Sequence, residues 1–191
     1  YMLSVIGLVV LVANSLTTLT PISSSTSLAG QGQLLAYQSA VCVYYNGVEI
    51  NGCGPNLFTN KGQNMTRQAL MFGNNYSVQF MALAQATSAQ AAADTSLGGE
   101  FFSSGLERTN YTSPKNQTSG LGCSPANCPG NWTISYEWTN TNPSFQLVNA
   151  TGLYASPVNI DNSTLFAETT FATANLSQND KINVTWYIWI T

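Results

Sequence analysis

Strict alternation of apolar and polar side chains near the C-terminus restricts the fold of this chain more than any other feature. The apolar members of the run are Ile182, Val184, Trp186, Ile188 and Ile190. A second run has the same period, with Trp132, Ile134, Tyr136 and Trp138 as its apolar members. Successive side chains of a strand point to opposite faces, so each run predicts a strand with one buried face.

Short runs of β-forming residues recur along the rest of the chain and are divided by turn-forming residues. The predicted strands are Leu34–Tyr45, Gly47–Ile50, Tyr76–Leu83, Trp132–Trp138, Ser144–Asn149, Leu165–Phe171 and Ile182–Ile190. Thr87–Asp94 is rich in alanine, but Gly98 and Gly99 follow closely, so we expect a loop there. The predicted fold class is all-β: an immunoglobulin-like or pilin-like β-sandwich in one head domain over residues 34–191.

The polar surface must consist of amides and hydroxyls, because charged residues make up only 7% of the chain. The chain holds 20 Asn, 20 Ser and 21 Thr. Such a surface keeps its character in acid, where Asp and Glu lose their charge below about pH 4, so an acidic habitat is one hypothesis. The five basic residues are scattered and the net charge is −3, which excludes the clustered cations that nucleic-acid binding needs.

Two close cysteine pairs predict two local disulfides, Cys42 with Cys53 and Cys123 with Cys128. The first pair brackets Asn46-Gly47, which is the strongest short signal for a β-hairpin. A disulfide between these cysteines would link the two ends of that hairpin. A zinc site is the alternative, but the chain has no histidine and no Cys-x2-Cys spacing. Disulfides indicate an oxidising, extracellular compartment.

Sites for N-glycosylation are more frequent than composition requires. Nine Asn-x-Ser/Thr sequons occur, at Asn64, Asn75, Asn110, Asn116, Asn131, Asn149, Asn162, Asn175 and Asn183. Chance placement of these residue types would give roughly four. We therefore expect covalent N-glycans over much of the surface, and no other cofactor.

The N-terminal segment is apolar on both faces and rich in β-branched residues. The run Met2–Ala13 is shorter than the 18 to 20 residues that span a membrane, so no membrane span is expected. Its valines and isoleucine favour a strand that is buried on both sides. The stretch that follows, rich in Ser, Thr, Gly and Pro, predicts a linker. We divide the chain into a tail over residues 1–20, a linker over 21–33 and the head.

Catalysis has little support in the sequence. The absence of histidine removes the commonest general base, and no phosphate-binding or calcium-binding motif occurs. A glycosidase would need two facing carboxyl groups, which no spacing among the eight acidic residues predicts. We expect solvated acids, no metal ligands and no catalytic residues.

The apolar N-terminal segment YMLSVIGLVVLVANSLTTL, the Ser/Thr-rich linker, the sandwich-like head and the nine sequons together resemble the subunit of the archaeal thread filaments. The resemblance spans the whole chain but rests on layout and composition. It implies an extracellular surface filament for adhesion or cell contact, in which identical glycosylated subunits join head to tail. Joining is by donor-strand complementation: the tail of one subunit leaves its own domain as an extended donor strand and completes the sheet of the next.

Within a donor strand, we expect one alternate set of bulky side chains to fill the pockets of the neighbour. That set is Ile6, Leu8, Val10 and Val12, because Gly7 interrupts the other register.

Three other readings stay open. A type IV pilin-like subunit would need the N-terminal segment as a helix, which Pro21 and the β-branched run disfavour. A secreted glycan-binding module or glycosidase would use Tyr44, Tyr45 and Trp189 as its ligand platform. An S-layer-associated coat protein would form lateral lattices.

Overall fold

The computed structural model describes residues 37–50, 52–74, 77–111, 115–116, 131–156 and 164–190. These residues form eleven strands and one helix. In chain order they are β1 (Tyr37–Tyr45), β2 (Val48–Glu49), β3 (Gly54–Pro55), β4 (Leu57–Phe58), α1 (Asn60–Phe72), β5 (Phe80–Ala84), β6 (Thr109–Asn110), β7 (Lys115–Asn116), β8 (Asn131–Thr139), β9 (Gln146–Tyr154), β10 (Leu165–Leu176) and β11 (Lys181–Ile190).

The strands form two antiparallel sheets. The first sheet has the order β2-β1-β11-β8-β7, with β3 also paired to β1, and the second has the order β4-β10-β9-β5-β6. Strand β11 lies at the centre of the first sheet, paired along its length with β1 on one side and β8 on the other. The predicted all-β sandwich is therefore confirmed.

The main core lies between the sheets and takes one face of each alternating run. Ile182, Val184, Trp186 and Ile188 are all at most 2% exposed, as the period of two predicts. Ile134 and Trp138 of β8 are equally buried, and Trp132 and Tyr136 pack against the same core from a half-buried position. The second sheet contributes Met81, Leu83, Val148, Leu153, Ala167 and Leu176.

A second, smaller cluster lies beneath the long connection from β5 to β6, which we call the β5–β6 loop (residues 85–108). It consists of Ala82, Ala84, Leu97, Ala150, Tyr154 and Leu165. Gly99 in this loop has φ +75°, and a Cβ there would lie 2.2 Å from the Gln85 carbonyl oxygen. Only glycine permits that close return of the chain. The predicted loop at Thr87–Asp94 is part of this connection and contains no helix.

Helix α1 has no counterpart among the predicted elements. Thr59 caps it: its Oγ1 accepts from the Gly62 N–H (2.9 Å) and donates to the Leu165 carbonyl (2.6 Å). Gly73, with φ +66°, ends the helix in the left-handed conformation. The cap thus fastens the start of the helix to β10. Within the described part of the chain, no helix is long and apolar enough to cross a membrane.

The predicted hairpin and its disulfide are both present. Asn46 and Gly47 have φ values of 46° and 82°, the two positive values that a two-residue type I′ turn requires. Cys42 and Cys53 are bonded, with their Cα atoms 4.2 Å apart. The second predicted pair, Cys123 with Cys128, lies outside the described residues. So do the predicted tail (1–20), the linker (21–33) and the donor-strand set Ile6, Leu8, Val10 and Val12, which all stay predictions.

Candidate functional site

The outer edge of β8 is only partly paired within the described residues. One side of β8 pairs with β11 from Asn131 to Thr139. The other side pairs with β7 at Trp132 and Thr133 alone. The backbone of residues 134–137 on that side has no described strand beside it. An unpaired strand edge is a template for an added strand.

Two half-buried aromatic side chains lie in or just before this stretch of β8. Trp132 and Tyr136 project from β8 toward the core, and each keeps part of its surface exposed. The ring of Tyr136 meets that of Trp138 edge to face, with centroids 4.8 Å apart. A strand laid along β8 would therefore gain apolar contacts as well as backbone hydrogen bonds.

The β5–β6 loop contacts the C-terminal end of β8. Trp138 Nε1 donates to the Glu107 carbonyl (3.0 Å), and Thr141 N donates to the Ser104 carbonyl (2.8 Å). Gly105 lies so close to β8 that an added Cβ would be 2.2 Å from the Thr139 carbonyl oxygen. These contacts limit the stretch without a described neighbour, which we call the β8 edge, to residues 134–137.

The second sheet has an open edge on β10, beyond its short pairing with β4 at Ala167 and Glu168. Gln90 covers the next residues, with its carboxamide oriented so that the oxygen accepts from the backbone N–H groups of Thr169 and Thr170. Farther along, the Tyr45 hydroxyl lies 3.3 Å from the Asn175 carbonyl oxygen. The β10 edge is thus partly capped by side chains, whereas the β8 edge has no such cap among the described residues.

The described sequons differ in the environments of their asparagines. Asn110 and Asn175 are exposed, and Asn64 and Asn183 are half-buried. Asn116 and Asn131 lie in β7 and β8. Asn75 and Asn162 lie outside the described residues.

Asn149 stands apart, because both polar atoms of its amide are engaged. Its Oδ1 accepts from the Ala86 N–H (2.7 Å), and its Nδ2 donates to the Ala86 carbonyl (3.0 Å). The Thr151 hydroxyl of the same sequon is fully buried and donates to the Ala82 carbonyl. This sequon therefore has a structural use that sequence reasoning did not identify.

The aromatic residues of the alternative glycan platform do not share one surface. Tyr44 and Tyr45 are successive residues of β1, so their side chains point to opposite faces of the sheet. Tyr45 turns to the core side and donates its hydroxyl to Asp180 Oδ2 (2.6 Å). Trp189 donates to Gln38 Oε1 across the strand pair. The three residues thus do not form the single platform that the glycan-binding alternative would use.

The expectation of solvated acids is wrong for two carboxylates. Glu100 is 9% exposed and forms an ion pair with Arg108, while Glu168 is 4% exposed and contacts Asp94. Asp94 and Glu168 line the same small cavity, and Asp94 adds to the rise that burial causes in the pKa of Glu168. Among the described residues, no group of three or more His, Cys, Asp and Glu side chains could hold a metal ion.

Comparisons of this chain with protein-family models, curated proteins and solved structures found no match.

Proposed function

We propose that this chain is a structural, non-catalytic subunit of an extracellular filament. Identical subunits join head to tail, and the tail of one subunit adds as a strand to the β8 edge of the next. The observation that carries the proposal is that residues 134–137 of β8 have no strand beside them on one side among the described residues, with the half-buried Tyr136 within that stretch and the half-buried Trp132 just before it. The apolar, β-branched segment at residues 2–12 of the same chain has the chemistry of the strand that such an edge would accept.

The energy of such a contact favours durable assembly. Burial of residues 2–19 against a neighbour would remove on the order of 1,000 Å² of apolar surface, worth up to about 25 kcal/mol before ordering costs. A head-to-tail contact joins two different surfaces, so it propagates as an open filament instead of closing as a dimer. N-glycans at the exposed sequons and the Cys42–Cys53 disulfide would suit an extracellular location.

The first test removes the donor. A chain that lacks residues 1–19 should form no filaments by electron microscopy, while its circular dichroism should retain the β-sheet signal of the head. A synthetic peptide of residues 2–19 should bind this truncated chain and raise its melting temperature.

Two matched peptides test the register of the donor. In the peptide, Val10→Asp should abolish the rise in melting temperature, because this side chain belongs to the predicted pocket-filling set. Val9→Asp changes the other face and should be tolerated better. Filaments built by the truncated chain would refute the proposed function, whereas equal effects of the two peptides would refute only the register.

A further inference from the structure

The buried carboxyl group of Glu168 has an unusual environment on β10. Its residue is 4% exposed, and its Oε1 has no hydrogen-bond partner in the described part of the chain. Asp94, from the β5–β6 loop, lines the same small cavity as this carboxyl group. The Ala91 N–H lies 2.8 Å from Asp94 Oδ2 and so fixes the loop turn that presents Asp94.

A small cavity of about 20 Å³ adjoins the pair. Its lining includes both carboxyl groups together with Ser88, Gln90 and Thr170. A space of this size holds about one water molecule, so it hydrates the buried Glu168 carboxyl group poorly, whereas Asp94 is only half-buried.

Two carboxyl groups in contact can hydrogen-bond to each other only if one of them carries a proton. Burial is the main reason that the pKa of Glu168 rises, to about 8, and the hydrogen bond and negative charge of Asp94 add to the effect. At neutral and acid pH Glu168 then keeps its proton, and above about pH 8 its buried carboxyl group becomes charged beside Asp94.

Among the described residues, no cation forms an ion pair with Asp94 or Glu168. Arg108 is engaged with Glu100 at the other end of the loop. Helix α1 approaches through the Asn60 N–H, which donates to the Ala92 carbonyl (2.7 Å), and its Lys61 has no ion pair with Asp94 or Glu168 within 4 Å among the described residues. The facing residues of β4 and β9, Leu57 and Gly152, do not titrate.

We propose that Asp94 and Glu168 form a proton-dependent clamp, which holds residues 88–94 of the β5–β6 loop on β10 in acid and neutral solution and releases them in alkaline solution. The clamp joins three elements, because the same loop segment also accepts the hydrogen bond from α1. It makes the head more stable in acid, in contrast to the usual surface ion pair, which loses its charge there.

The direction of the effect follows from proton linkage. The folded chain keeps its proton up to about pH 8, whereas an unfolded glutamate releases it near pH 4.5. The contribution of the pair to stability is therefore complete below about pH 4.5, falls as the pH rises and is lost above about pH 8.

The test is thermal unfolding of the full chain between pH 5 and pH 9. We expect the melting temperature of the unchanged chain to fall by about 5 °C or more over this range. Glu168→Gln keeps the size and shape of the side chain but replaces the carboxyl group with an amide, which does not titrate. The melting temperature of this variant should therefore vary much less with pH. Glu49→Gln is the matched control, because Glu49 is an exposed acid on β2 and its loss should leave the pH profile unchanged.

A ¹³C titration of the glutamate carboxyl carbons in the unchanged full chain is a second test, which does not depend on the folding of the Glu168→Gln variant. The signal assigned to Glu168 should titrate near pH 8, and Asp94→Asn should move that midpoint to lower pH. A Glu168 midpoint near 4.5, or the same pH profile of melting in the Glu168→Gln chain, would overturn the proposal.

Discussion

The Arg108 guanidinium forms a bidentate ion pair with the Glu100 carboxylate. Its Nε donates to Oε1 (2.8 Å) and its Nη2 donates to Oε2 (2.7 Å). Both side chains are at most 4% exposed. The guanidinium stacks 3.4 Å above the ring of Tyr154, whose hydroxyl donates to Glu100 and accepts from the Leu97 N–H. This network fixes the β5–β6 loop to the second sheet.

We predict that Arg108→Ala lowers the free energy of unfolding by about 3–5 kcal/mol, because it leaves the Glu100 charge buried without its cation. Urea denaturation of the full chain measures the change. Lys181→Ala is the control: its pair with Glu137 is about half exposed, so the loss should be about 1 kcal/mol or less. Similar losses for both variants would contradict the role given to the buried pair.

Gly62 of α1 provides a prediction in which two effects have opposite signs. Helix propensity alone says that Gly62→Ala stabilises by about 1 kcal/mol. A Cβ at this position, however, would lie 2.1 Å from the Phe166 carbonyl oxygen and 2.7 Å from the Phe58 ring. The helix would have to move away from β10, so we expect a net loss of about 1–3 kcal/mol.

The same denaturation measurement on Arg67→Ala serves as the control for the helix. Arg67 is exposed on α1, where it donates to Asn64 Oδ1, and its loss should change stability by no more than about 0.5 kcal/mol. A more stable Gly62→Ala chain would show that the helix does not need its close approach to β10.

The alternating runs allowed more of the fold to be predicted than any other signal. They placed Ile182, Val184, Trp186 and Ile188 on the buried face, and Asn46-Gly47 placed the hairpin. Helix α1 escaped prediction because only Gly62 and Met65 of its thirteen residues are buried. The spacing of apolar residues along this segment was therefore too irregular to predict a helix from the sequence.

The candidate sites were harder to predict, for physical reasons. Alternation reveals the faces of a strand but not which strand lies beside it, so the β8 edge was invisible in the sequence. The Asp94–Glu168 contact joins a loop to a distant strand, and no local period constrains such a pair. The role of Asn149 depends likewise on a contact with Ala86 across the fold.

Sequon use offers a third prediction. We expect glycans at Asn110 and Asn175, whose side chains are exposed, and no glycan at Asn149, whose amide is bonded to Ala86 and whose Thr151 is buried. Mass spectrometry of glycopeptides from native material measures the occupancy of each site. Full occupancy at Asn149 in the folded chain would mean that the Ala86 contact does not form.

Hydrogen–deuterium exchange at the β8 edge tests the central claim most directly. The chain without residues 1–19 is compared before and after addition of the peptide of residues 2–19, and the full-length filament is measured beside them. The account predicts that outward-facing amides within residues 134–137 become protected in both the peptide complex and the filament, while residues 171–174 of β10 change little. Assembly that leaves residues 134–137 unprotected, or that protects β10 instead, would contradict the proposed strand addition at β8.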